Sequence, residues 1–275
     1  MFLEIATHAA VTGAFEAYEH REDVSELWNK VLYRIKNGKL VVLVVGPGGV
    51  GKTTLSNFLG SPRLKLAPSA YEESFHAERF PLPGGVVAEL ITAPGQETRR
   101  DDWDAIFSAS KRRGCSFGII NVVAYGFHST TLDMKDRRRN NEGTSAATSR
   151  YFGECRVKEL EVVKEVSSRL ARHTKPFWMI SLVTKQDLWW PDRRAVKTHY
   201  EGGEYSKLIS TMAERHGATG FRHEFFSLSL HSQNFADGSG SVVQPTAAGY
   251  DDAIKYAHQQ RLLEMLQGFT SATAK

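Results

Sequence analysis

The sequence predicts an α/β fold in which helices cover both faces of a mostly parallel, six-stranded sheet with one antiparallel edge strand. Short apolar runs alternate with longer segments of helical periodicity, and this alternation is typical of parallel strands joined by helical crossovers. The turn sequence Leu82 to Gly85 separates two extended runs and predicts the β-hairpin that supplies the antiparallel strand. Of the 275 residues, 41% are hydrophobic, which suffices for one substantial core.

The individual elements are predicted from apolar runs and from helical spacing. Continuous aliphatic runs predict buried strands at 39–45, 115–125 and 176–183, and "GFRHEFFSLSL" at 220–230 predicts the last strand. A last helix is predicted at 251–269. The helix before the strand at 176–183 is predicted to bury one face that carries Val157, Leu160, Val163, Val166 and Leu170.

The chain is predicted to have one main domain with an N-terminal addition. Helical periodicity in residues 1–38 predicts a helical extension packed on the core, and 39–275 is the main domain. The glycine- and serine-rich stretch "ADGSGSVVQP" at 236–245 resembles a flexible linker.

Composition excludes several classes of function. Lys and Arg exceed Asp and Glu by only 35 − 31 = 4, so nucleic-acid binding is not indicated. The two cysteines, Cys115 and Cys155, have no metal-ligand spacing and are typical of reduced thiols. The N-terminus does not resemble a signal peptide, and no apolar run reaches transmembrane length. We therefore expect a cytoplasmic protein.

The strongest chemical signal is "GPGGVGKT" at 46–53, which fits the pattern G-x-x-x-x-G-K-[ST] between a predicted strand and a helix. Glycines let the backbone curl so that its N–H groups point at phosphates, and the helix adds its positive end. Lys52 would reach the β- and γ-phosphates and is expected to be solvent-accessible, while Thr53 would ligate magnesium. The predicted phosphate-binding residues are Gly46, Gly48, Gly49, Val50, Gly51, Lys52, Thr53 and Thr54.

A second motif, "TAPGQE" at 92–97, ends the second strand of the hairpin. The N–H of Gly95 at this place would hydrogen-bond a γ-phosphate, and Gln96 would orient the attacking water. A simple Pro-Gly turn at the end of a strand explains the same residues equally well.

A third motif, "TKQD" from Thr184 to Asp187, follows the buried strand at 176–183. An aspartate here accepts two parallel hydrogen bonds from N1–H and the 2-amino group of guanine, which adenine does not offer. The methylene stem of Lys185 would lie over the base. A helix cap is the alternative reading of this motif.

Together these motifs resemble the Ras-like small GTPases of the P-loop (TRAFAC-type) class. GPGGVGKT, APGQE and TKQD match the phosphate loop, switch II and guanine-specificity loop of that family in order. The resemblance implies a Ras-like fold that binds GTP or GDP with Mg²⁺, with insertions here at 126–150 and 191–203. It also implies that Ser69 in "APSAYEES" is the switch I hydroxyl, closing over magnesium and the γ-phosphate. Ser229 and Leu230 stand where the family has its last base-binding motif.

One departure from the family concerns magnesium. Thr92 stands where the family usually has an aspartate that holds the ion through water, and threonine brings no charge. A Thr-x-Pro-Gly-Gln string is a feature of bacterial MglA-type GTPases, which switch II therefore resembles more closely. By this resemblance the metal-binding residues are Thr53, Ser69 and Thr92.

The motifs favour a GTP-binding molecular switch that hydrolyses GTP slowly, with Gln96 and Lys52 as its catalytic residues. Effectors or activators would bind the switch regions near 61–80 and 92–113. Two alternatives stay open at this point: a non-hydrolysing interaction module that keeps the fold, and an ATP-dependent P-loop enzyme. The departures at Thr92 and Ser69 favour the former, and the phosphate loop taken alone allows the latter.

Overall fold

The computed structural model describes residues 40–60, 78–81, 89–93, 103, 107, 116–129, 143–236 and 242–272. The predicted N-terminal extension lies outside the described residues. So do three residues of the predicted site, namely Ser69, Gly95 and Gln96.

The main sheet forms from the apolar runs seen in the sequence. Its strands are β1 (Leu40–Val45), β2 (Glu78–Pro81), β3 (Glu89–Thr92), β4 (Ser116–Val123), β5 (Phe177–Val183) and β6 (Phe221–Ser227). They lie in the order β2-β3-β1-β4-β5-β6. Every neighbouring pair is parallel except the hairpin β2–β3, which is antiparallel. An α/β fold with a mostly parallel sheet and the predicted hairpin is therefore confirmed.

Helices connect these strands. They are α1 (Lys52–Gly60), α2 (Thr144–Leu170), α3 (Gln186–Trp189), α4 (Arg193–Gly202), α5 (Glu204–Gly220) and α6 (Asp252–Ala272). Most of the insertion predicted at 191–203 is the helix α4, and the end of the insertion predicted at 126–150 is the start of α2. No helix among the described residues is long and apolar enough to cross a lipid bilayer.

Helices pack on both faces of the sheet, as contacts of β5 show. The Ser181 hydroxyl lies 2.9 Å from the hydroxyl of Tyr205 on α5. Trp178 points the other way and stacks on Phe269 of α6, with ring centroids 5.0 Å apart. Because successive side chains of a strand point to opposite faces, α5 and α6 cover opposite sides. β5 is consequently buried along its whole length, which accounts for its continuous apolar sequence.

The buried face of α2 differs from the prediction. Val157 is 53% exposed, whereas the residues that turn inward are Ala147, Cys155, Glu159, Val162, Val163, Val166 and Leu170. The predicted face was wrong at Val157 because a carboxylate, Glu159, takes a buried position on this helix. Helical spacing alone assigns such a residue to solvent.

The stretch predicted as a flexible linker is structured at both of its ends. Phe235 pairs with Val243 and Ala236 with Val242, which forms a small antiparallel sheet of β7 (Phe235–Ala236) and β8 (Val242–Val243). Phe235 is buried against Phe127, with ring centroids 5.3 Å apart. The linker interpretation is therefore wrong at Ala236 and at Val242 and Val243, while residues 237–241 lie outside the described residues.

Candidate functional site

The loop between β1 and α1 has the backbone geometry that its glycines allow. Gly46, Gly49 and Gly51 have φ values of 146°, 77° and 96°, in the left-handed region that glycine adopts without strain. A Cβ atom on Gly49 would lie 1.9 Å from the carbonyl oxygen of His128. The loop is therefore pressed against the segment that follows β4.

Lys52 lies at the start of α1 and turns back into this loop. Its Nζ donates hydrogen bonds to the carbonyls of Gly46 (3.0 Å) and Pro47 (2.8 Å). The residue is only 7% exposed, so the expectation of a solvent-accessible lysine is wrong. The ammonium is held within the curled loop beside the first turn of the helix, which also carries Thr53. The positive end of the helix and the ammonium together make the loop attractive to anions.

The loop after β5 holds a buried carboxylate. Asp187 is 1% exposed. The Ser229 hydroxyl donates to its Oδ1, and the backbone N–H of Gln233 donates to its Oδ2 at 3.2 Å. Burial raises the pKa of Asp187, while these two hydrogen bonds and the charge of Lys185 act in the opposite direction. The structure thus brings Asp187 and Ser229 together, as the two motifs require.

Lys185 occupies the turn that leads into α3. It has a left-handed φ of 54°, unusual for a residue other than glycine. Burial lowers its pKa to about 8, against the opposing effect of the nearby Asp187 carboxylate. Lys185 is thus half-buried near the buried Asp187 carboxylate, and each charge affects the pKa of the other.

Thr184 joins the two loops. Its hydroxyl lies 2.6 Å from the Val50 carbonyl in the phosphate loop and 3.0 Å from that of Val123 at the end of β4. The indole of Trp189 donates to the Thr184 carbonyl at 2.8 Å, which fixes the loop from its other side. The phosphate loop and the loop that carries Asp187 consequently contact each other at the carboxyl edge of the parallel strands, where ligands of such sheets usually bind.

The segment after β6 contains Ser229, the hydrogen-bond partner of the Asp187 carboxylate, and is itself held by α6. The Gln259 side chain on α6 donates to the carbonyls of Ser229 (3.1 Å) and Leu230 (3.3 Å). The Leu230 side chain is buried in the hydrophobic core. Leu230 can therefore contact a ligand only through its backbone, whereas Ser229 acts through its hydroxyl on Asp187.

Thr92 is fully buried at the end of β3, and its hydroxyl lies 2.7 Å from that of Ser56 on α1. Magnesium prefers oxygen ligands and commonly takes one or two carboxylates besides phosphate oxygens. No group of three or more acidic, histidine or cysteine side chains is placed to hold a metal within the part of the chain that the structure describes. A threonine hydroxyl such as that of Thr53 is an oxygen ligand of the kind magnesium accepts, and the hydroxyl of Thr92 shares a hydrogen bond with Ser56.

Sequence reasoning missed a buried cluster beside the phosphate loop. Glu159 on α2 is fully buried, and its Oε1 accepts hydrogen bonds from the amides of Ala124 (2.9 Å) and Gly126 (3.2 Å) and from His128 Nε2 (2.9 Å). Its Oε2 accepts from the Tyr200 hydroxyl at 2.6 Å. The one signal in the sequence is a glutamate at helical spacing from buried apolar residues.

The charges of His128 and Glu159 stabilise each other. Burial lowers the pKa of His128, but hydrogen bonds to Cys155 and Glu159 and the Glu159 charge outweigh burial, so the pKa rises above 6.5. Burial raises the pKa of Glu159, but the hydrogen bond and charge of His128 and the Tyr200 hydroxyl outweigh it, so the pKa falls below 4.5. Both groups are therefore charged at pH values between the lowered pKa of Glu159 and the raised pKa of His128.

Replacing His128 with glutamine should make stability less dependent on pH. Because the folded-state pKa of His128 is raised, its contribution is complete below pH 6.5 and is lost as pH rises through that pKa. We expect the free energy of unfolding of the wild type to exceed that of H128Q by about 1–2 kcal/mol at pH 6. The difference should be smaller at pH 9, since glutamine keeps a hydrogen-bond donor but carries no charge. Urea unfolding of both proteins across this range measures the difference. If the difference in the free energy of unfolding stays constant from pH 6 to 9, the stabilising role of the His128–Glu159 ion pair is contradicted.

Comparisons with known proteins give structural similarities only. No protein-family model and no curated protein matches the chain. It is similar to a Sar1/ADP-ribosylation-factor-like GTP-binding protein of Encephalitozoon cuniculi solved with GDP (16% identity, 98% of this chain and 97% of that one, TM-score 0.45). It is also similar to the signal recognition particle receptor SRb of Chaetomium thermophilum with GDP (13% identity, 84% of this chain and 98% of that one, TM-score 0.40). A third similar structure is a dimerization-deficient Toc33 of Arabidopsis thaliana (12% identity, 93% of this chain and 93% of that one, TM-score 0.42).

Proposed function

We propose that this chain is a guanine-nucleotide-binding switch with a Ras-like fold, and that it hydrolyses GTP slowly with magnesium. The observation that carries the proposal is the hydrogen bond from the Thr184 hydroxyl to the Val50 carbonyl at 2.6 Å. It ties a loop suited to phosphates, with Lys52 at its centre, to a loop whose buried carboxylate suits guanine. Such a pair of sites on one sheet edge is suited to a nucleoside polyphosphate.

Base selection would depend on Asp187. Each carboxylate oxygen has two lone pairs, so Oδ1 can keep the Ser229 hydroxyl and still accept a second hydrogen bond. Asp187 is 1% exposed, so a base reaches it only when the segment at Gln233 moves away from Oδ2. Adenine offers no matching pair of donors and would leave the carboxylate unpaired, which disfavours ATP.

Hydrolysis would depend on Gln96, with Gly95 and Ser69 beside the γ-phosphate. The Thr-x-Pro-Gly-Gln string that includes Thr92 supports the resemblance to MglA-type enzymes. Magnesium would be held by Thr53 and the phosphates, with Ser69 as a further hydroxyl ligand. Because no charge comes from position 92, we expect magnesium binding that is weak for this class. The switch regions near 61–80 and 92–113 are the proposed docking surfaces for effectors or activators.

Replacing Gln96 with leucine tests the hydrolytic part. We expect Q96L to release phosphate about tenfold more slowly or worse and to keep its GTP affinity, because Gln96 acts on the attacking water and not on the bound nucleotide. Phosphate release across a magnesium titration measures the rate. The matched control is Q244L, since Gln244 is exposed on a loop. If the wild type releases phosphate no faster than a Lys52→Ala variant, the proposal that this chain hydrolyses GTP is contradicted.

A second candidate is a GTP-binding interaction module that does not hydrolyse nucleotide. It is favoured by the engaged, uncharged hydroxyl of Thr92, which pairs with Ser56 at 2.7 Å. Stable GTP binding without phosphate release would distinguish this function from the first.

A further inference from the structure

We infer that Glu159 is a positioning residue for the phosphate loop. It lies on α2, outside the loops that the motifs define, and it acts through the segment Ala124–His128 that follows β4. This inference rests on the proposed function and adds a residue that none of its motifs contains.

The Glu159 carboxylate fixes that segment at three points. Its Oε1 accepts from the amides of Ala124 and Gly126 and from the side chain of His128, at 2.9, 3.2 and 2.9 Å. Hydrogen bonds to a charged acceptor are stronger than neutral ones, and at a fully buried residue such as Glu159 the low local dielectric constant strengthens each further. One buried carboxylate thus determines the path of the turn.

The turn needs this support because its backbone is strained. Tyr125 has a φ of 52°, in a region that residues other than glycine rarely adopt. Its amide donates at 2.8 Å to the Tyr200 hydroxyl, which in turn donates to Glu159 Oε2 at 2.6 Å. Glu159 therefore stabilises an unfavourable conformation both directly and through Tyr200.

The same turn presses on the phosphate loop. The His128 carbonyl lies so close to Gly49 that a Cβ there would be 1.9 Å from its oxygen. The carbonyl of the next residue, Val50, is held by Thr184 at 2.6 Å. The loop is thus held at two successive residues, and the turn fixed by Glu159 provides the contact at Gly49. If the turn relaxes, the amides from Gly48 to Gly51 lose their alignment, and small errors in such alignment are costly.

The test replaces Glu159 with glutamine and measures binding of GDP and of inosine diphosphate, which lacks the 2-amino group. We expect E159Q to lose about tenfold in affinity for both nucleotides, because its effect is on phosphate contacts, and to keep the wild-type ratio between them. Hydrogen exchange should quicken in peptides covering 45–55 and stay unchanged in β6. The matched control is E154Q, the same change on an exposed residue of the same helix, where Glu154 pairs with Arg150 at the surface.

Two results would overturn the inference. E159Q affinity equal to that of E154Q would do so, and so would a changed ratio of the two nucleotides with faster exchange throughout the chain, which is the signature of general loosening. If the wild type does not bind GDP, the proposed function itself is contradicted, and this inference with it.

A second variant covers the case in which E159Q does not fold. Y200F keeps the buried ring and removes only the hydroxyl that links Tyr125 to Glu159. We expect it to show the same unchanged nucleotide ratio with a loss of about threefold. Wild-type affinity and wild-type exchange at 45–55 in Y200F would count against the inference.

Discussion

Replacing Lys52 with alanine should weaken GTP binding by at least about a hundredfold, because the β- and γ-phosphates lose charge-assisted hydrogen bonds of about 1.5–3 kcal/mol each. The structure adds a second effect. The carbonyls of Gly46 and Pro47 lose the hydrogen bonds that the Lys52 ammonium donates to them, at 3.0 and 2.8 Å. We therefore also expect a loss of about 1–3 kcal/mol in the free energy of unfolding.

Calorimetry with GTP and urea unfolding measure the two effects of the Lys52 substitution separately. Lys197→Ala is the matched control, because Lys197 is exposed on α4 and forms a surface ion pair with Glu201 at 3.6 Å. The control should bind and unfold like wild type. Undiminished GTP affinity in the Lys52 variant would show that the loop does not bind phosphate.

Asp187→Asn should change which base the site prefers. Guanine would lose two charge-assisted hydrogen bonds, together about 3–6 kcal/mol, while the 2-oxo group of xanthine can accept from the new amide. The variant should therefore prefer XDP to GDP. The Ser229 hydroxyl can serve either an amide oxygen or an amide nitrogen, so the local fold should persist.

Competition binding with GDP, XDP and ADP measures the preference of the Asp187 variant. Asp192→Asn is the control, since Asp192 is exposed and its side chain makes no capping hydrogen bond to α4. A variant that keeps the wild-type order of affinities would contradict the role given to Asp187.

The sheet and the two loops are predictable from sequence for a physical reason. β1 and β5 are buried on both faces, and burial on both faces requires a continuous apolar run. The phosphate loop is predictable because its left-handed turns require glycine at fixed positions. Asp187 is found because it follows one of those buried strands.

The supporting contacts are not predictable in the same way. Glu159 looks like a solvent-facing helical residue until the turn at Ala124 to His128 is seen to bring three donors to it. Lys52 looks exposed because the motif does not show where the carbonyls of the curled loop point. Two-residue strands such as Phe235–Ala236 are too short for any periodicity to appear. Each of these features depends on atoms distant in sequence.

The proposed function requires one site that binds both the phosphates and a guanine base. The most direct test displaces a fluorescent GDP analogue from the purified wild-type chain with GDP and, separately, with ADP, which has the same phosphates. We predict that GDP displaces the analogue at least about a hundredfold more effectively than ADP, because guanine would donate two hydrogen bonds to the buried Asp187 carboxylate and adenine would not. Equal displacement by ADP, or no binding of the analogue at all, would contradict the proposed guanine-nucleotide site.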